Sequence, residues 1–137
     1  MKVLTLALGL VLISGPVLAA EPDEDMLYHW GECAVVGGIY EAAIERGSGD
    51  PRILSGKTDF DSVSPQMAAH ADDLATRLGE ERASAVREKL FAEFDSRMAE
   101  WASSDDPEGF LLATWGTTMD RCLREAAVLP VPGRPVT

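Results

Sequence analysis

The chain has 137 residues, 23 acidic against 12 basic side chains and a formal charge of −11. That length holds one domain, and a hydrophobic share of 46% is that of a globular protein rather than a disordered chain. The acidic surplus repels phosphate backbones, and no cluster of Lys or Arg offsets it, so nucleic acid is excluded as an expected partner.

Residues 1–20 read as a secretory signal peptide. Lys2 supplies the positive start and Val3 to Ile13 the apolar run. Ser14, Gly15 and Pro16 then break the helix before small residues offer cleavage after Ala19 or Ala20. Cleavage removes Lys2 and leaves a charge of −12. No other stretch approaches the roughly 20 apolar residues of a membrane helix, so the expected location is periplasmic or secreted, with no membrane contact after cleavage. Thiols there tend to be oxidised. The expected layout is signal 1–20, helical domain 21–129 and proline-bearing tail 130–137.

Met26, Trp30, Cys33, Gly37, Tyr40 and Ile44 recur at helical spacing and predict a first helix over 23–46. Gly47 to Pro51 ends it, and 47–63 reads as a long loop containing Gly56. Ser64 followed by Pro65 has the form of an N-cap and first helical residue, opening a second helix with Met67, Ala71, Leu74 and Leu78 inward. A third helix from Glu80 to about Ser103 carries Ala83, Val86, Leu90, Phe94, Met98 and Trp101 inward, with Glu93 and Arg97 as an exposed pair. Asp106 and Pro107 repeat the cap signal for a fourth helix whose stripe is Leu112, Trp115, Met119, Cys122, Ala126 and Leu129. The fold class is therefore all-α, a small up-down-up-down four-helix bundle, because each helix has one apolar stripe to bury.

Cys33 and Cys122 lie on inward stripes at matching heights of antiparallel first and fourth helices, which predicts one intramolecular disulfide. Two free thiols or a bond between subunits are the alternatives. In that register Gly37 and Gly38 face Thr118 and Thr117, next to Gly116, with Tyr40 beside Trp115. Glycine costs about 1 kcal/mol relative to alanine inside a helix. The pair therefore implies either close backbone contact or a ligand notch formed by Gly37, Gly38, Tyr40, Trp115, Gly116 and Thr117.

Ser55-Gly56-Lys57-Thr58 looks like the end of a phosphate loop, but Pro51 stands where the motif needs glycine, and the segment reads as a polar turn. His29 with Glu32, and His70 with Asp73, have chelating spacing. Both histidines fall off the apolar stripes and are expected to face solvent, so no metal site is assigned. Met26, Met67, Met98 and Met119 read as core filler. No catalytic set can be assembled and no cofactor is implied. The expected function is non-enzymatic binding of another envelope protein. The alternatives are a small-ligand or metal carrier and a periplasmic chaperone.

Overall fold

A computed structural model of the protein describes residues 21–134, and the segment assigned to the signal peptide lies outside them, as do residues 135–137. Four helices follow one another: α1 (Glu21–Glu45), α2 (Pro51–Leu78), α3 (Glu80–Ala102) and α4 (Pro107–Ala126). No strand occurs among the described residues, and the protein is an all-α four-helix bundle.

The alternation of direction is visible in the core, which forms two clusters at opposite ends. One joins Val36 to Ala43 of α1 with Ile53 of α2, Leu90, Phe94 and Trp101 of α3, and Leu111, Trp115 and Met119 of α4. The other joins Leu27 to Cys33 of α1 with Met67 to Leu78 of α2, Ala83 and Val86 of α3, and Cys122 and Ala126 of α4. The second half of α1 thus meets the first half of α2, the second half of α3 and the first half of α4. That is the packing of up-down-up-down helices.

The expected loop over 47–63 is the first half of α2. Asp50 caps this helix by accepting the Arg52 backbone N–H at 2.9 Å, and Pro51 occupies the first turn, where its missing donor is harmless. The inward stripe of α2 accordingly begins at Ile53 and continues through Gly56, Phe60, Val63 and Met67 to Leu78. Pro65 lies inside the helix rather than at its start. Its missing N–H leaves the Asp61 carbonyl without that donor, and the Ser64 hydroxyl donates to this carbonyl at 3.3 Å. One residue, Gly79, joins α2 to α3, and its φ of +93° is a conformation that L side chains rarely adopt.

Around the first cluster the connections are tied together. Asp106 caps α4 by accepting the Gly109 N–H at 3.0 Å. Ser48 donates to the Glu108 carboxylate, which also accepts the Asp50 N–H at 3.3 Å. Trp101 is buried, donates its indole N–H to the Pro107 carbonyl at 3.2 Å and carries the Arg46 guanidinium 4.5 Å from its ring. Phe94 stacks on Trp115 with centroids 6.3 Å apart.

Candidate functional site

The expected disulfide is present, linking Cys33 of α1 to Cys122 of α4 with a Cα separation of 5.8 Å, and both cysteines are buried. The glycine pair behaves differently from its expected role. A Cβ on Gly37 would collide with the ring of Phe60 on α2, so this glycine exists to admit Phe60 rather than to approach Thr118. Gly38 is exposed and a Cβ there would meet nothing within 4 Å. Tyr40 is buried with its ring over Gly56, where a Cβ would lie 2.7 Å from the ring, and burial with the nearby charge of Asp120 pushes its hydroxyl up to about 12. Gly116 is half-buried and Thr117 exposed, while Trp115 is packed in the core. The six residues therefore do not line one notch. The disulfide joins α1 and α4 as expected, but α2 fills the space in front of Gly37, because its first half is helix and not loop.

Two grooves carry chemistry instead. The first lies between α1, α3 and α4, where Tyr28, Glu32, Glu93, Arg97, Thr114, Trp115 and Thr118 surround a space of about 520 Å³. Its charged groups already have partners, inside the groove or beside it. Tyr28 donates its hydroxyl to Glu93, and burial, helped by that carboxylate, pushes the phenol up to about 12. The expected Glu93–Arg97 pair does not form, because Glu93 is taken by Tyr28 and Arg97 turns to Glu100 at 3.7 Å.

The second groove lies at the disulfide end and measures about 550 Å³. Its walls are Met26, His29 and Trp30 of α1, His70 of α2, and Glu125, Val128 and Leu129 at the end of α4 and just beyond. Met26 does not point into the core as expected. Leu27 takes the inward position beside Leu74 and Leu78, leaving Met26 40% exposed on the groove wall. Val128 is 84% exposed. Three rings line up here, with His29 and Trp30 centroids 5.0 Å apart and His70 edge-on to Trp30 at 5.6 Å. The apolar surface is thus bordered by two imidazoles and by the carboxylates of Asp25 and Glu125.

The histidines are not the solvent-facing residues expected. His70 is half-buried against Trp30, and His29 is partly buried against the disulfide, its Nε2 3.9 Å from Cys33 Sγ and 3.0 Å from Glu125 Oε2. Arg121 Nη2 lies 3.4 Å from His29 Nδ1 and at the same distance from Glu32 Oε1. A guanidinium only donates, so in neutral His29 Nδ1 accepts and Nε2 carries the proton toward Glu125. Glu32 consequently shares an arginine with His29 rather than a cation site, and Asp73 pairs with Arg77 at 3.6 Å rather than with His70. Among the described residues, one group of three potential metal donors lies within 4.8 Å of one another: His29, Cys33 and Cys122.

Sequence reasoning missed Glu125 and Val128. A signal for Glu125 existed, because the register set by the disulfide places His29 opposite Ala126, one residue away. No comparable signal marks Val128, which lies beyond the helix.

No protein-family model matches this chain, and neither a curated protein nor a solved structure was found to be similar to it. Among the described residues no helix is long and apolar enough to cross a membrane.

Proposed function

We propose that the protein is a non-enzymatic binding module of the periplasm or cell exterior. It takes an apolar, basic-flanked segment of another envelope protein into the groove at the disulfide end. The observation that carries this reading is the groove itself: exposed Met26 and Val128 stand beside Trp30 and Leu129, with Asp25 and Glu125 on the rim. Apolar side chains left uncovered together are a mark of an interaction surface, and the net charge of −12 after signal cleavage favours a basic partner by steering and by rim complementarity. The disulfide is compatible with an oxidising compartment, and the twenty-residue leader supplies a route to one.

The test uses a synthetic peptide of leucines and isoleucines flanked by lysines, with an acid-flanked peptide of the same core as control. Val128→Asp and Met26→Asp should each weaken binding of the basic peptide by about tenfold or more, the equivalent of losing one buried side chain. Phe91→Asp, at a site 60% exposed on α3 and absent from the groove walls, should leave it unchanged. Equal loss in all three variants, or equal binding of both peptides, would remove the reading.

A further inference from the structure

His29 is held against the disulfide by Glu125, Arg121 and the Trp30 ring. Hydrogen bonding there gains little from sulfur, a weak acceptor, and the position takes an imidazole partly out of water. The arrangement makes chemical sense as a donor set. His29 and Cys33 are four residues apart on one face of α1, Cys122 enters from α4, and the three potential ligand atoms lie within 4.8 Å of one another. We propose that Cys33, Cys122 and His29 bind Zn²⁺ in the reduced protein, so that the disulfide and the metal are alternative links between α1 and α4.

The distances fit. Zinc bonds of about 2.3 Å to sulfur and 2.0–2.1 Å to nitrogen imply tetrahedral edges of about 3.8 Å between two sulfurs and about 3.5 Å between sulfur and nitrogen. His29 Nε2 already stands 3.9 Å from Cys33 Sγ. Metal binding therefore requires the two sulfurs of the reduced protein to part by side-chain rotation and Nε2 to turn from Glu125 toward the ion. Two thiolates neutralise a dication, so the buried side of the site carries no net charge, which avoids the penalty of an unpaired buried ion. The fourth position is left to water or to Glu125, whose carboxylate lies 3.0 Å from the same nitrogen. Three protein ligands with one open position is a recognised zinc arrangement.

A dithiol reductant gives two electrons and two protons to the Cys33–Cys122 bond, yielding two thiols and its own disulfide. Zinc then replaces the two thiol protons, which pass to solvent. Nε2 must also give up its proton to bind, and Nδ1 takes one up in exchange. Arg121 turns away from Nδ1 to Glu32 and Glu125, from which it is already only 3.4 and 3.7 Å distant.

Access to the buried bond is avoided experimentally by reducing the protein with a dithiol in denaturant, removing the reductant, and refolding without oxygen in the presence of Co²⁺. One cobalt per chain should bind, with the visible bands of a tetrahedral ion and thiolate-to-metal charge transfer, and Zn²⁺ should displace it. His29→Ala should weaken binding by at least about tenfold, and its oxidised form should show the helicity of the parent. If the reduced chain does not refold alone, the metal should restore its helicity. Absence of stoichiometric tetrahedral cobalt, parental affinity in His29→Ala, equal binding by the oxidised protein, or failure of both metals to restore a lost fold would each overturn the proposal.

Discussion

The two ends of the bundle are closed by different physics. At one, Phe94, Trp101 and Trp115 fill the space between helices, and the flanking connections are pinned by Asp50, Asp106, Ser48 and Glu108. At the other, the core residues between helices are smaller, including Ala83 and Ala126, and a covalent bond supplies what packing does not. The aromatic end has its connecting segments tied by polar contacts, and Leu54 and Phe91 are left exposed beside its core residues Ile53 and Leu90. The disulfide end keeps Met26 and Val128 exposed beside two histidines. An end held by a bond needs fewer large side chains in its core than an end held by packing.

Removing the bond should show the largest effect. Replacing both cysteines by alanine opens a loop spanning 89 residues, for which the chain-entropy relation gives a loss of about 4–5 kcal/mol. Denaturant unfolding measures the total. Native-state hydrogen exchange should show protection lost first around residues 27–33 and 122–126, while the segment around Trp101 keeps its protection. Uniform loss would mean that the two ends are one cooperative unit.

Trp101→Ala attacks the other end and should cost about 3–5 kcal/mol, since a fully buried indole is removed along with its hydrogen bond to Pro107. Here the exchange pattern should invert. Oxidised protein is used throughout, so that the covalent end is unchanged.

Between the ends, Gly37 and Gly38 separate crowding from propensity. Gly37→Ala should destabilise by about 1–2 kcal/mol, because the methyl displaces the Phe60 ring and outweighs the better helix propensity. Gly38→Ala meets open space and should stabilise by up to about 1 kcal/mol. Thermal or urea melts of the two variants would read opposite signs. The same sign in both would place Phe60 elsewhere.

Tyr40 gives the aromatic end a pH dependence of its own. Its hydroxyl is raised from 10.0 to about 12 by burial and by Asp120, so the folded state favours the neutral phenol. The unfolded chain ionises first, and this contribution is complete below pH 10 and lost as pH rises toward about 12. At pH 11 the loss should be about 1 kcal/mol. Tyr40→Phe should flatten that part of the stability profile, measured by denaturant melts from pH 8 to pH 11. An unchanged slope would mean that Tyr40 is solvated.

Three of the four helices were legible as local pattern. Trp30, Cys33 and Tyr40, then Val86, Leu90 and Phe94, then Trp115, Met119 and Cys122, repeat at helical spacing and are all buried. The first half of α2 escaped because Gly56, Pro65 and a run of polar residues imitate a loop. Glycine and proline lower helix propensity locally, whereas here Tyr40 packs over Gly56 and the Ser64 hydroxyl takes the carbonyl that Pro65 cannot serve. Tertiary contact overrode the local preference.

By itself the sequence determined the all-α class, the phase of most helices and the partners of the disulfide, together with the acidic surface. These depend on periodicity and composition, which belong to a segment or to the whole chain without reference to neighbours. Only the tertiary structure decided that Phe60 lies on Gly37 and that Met26 and Val128 face the same groove. It likewise decided that His29 stands between Cys33 and Glu125. Those juxtapositions join residues distant in the chain, and their energies arise only after packing has chosen which helix faces which.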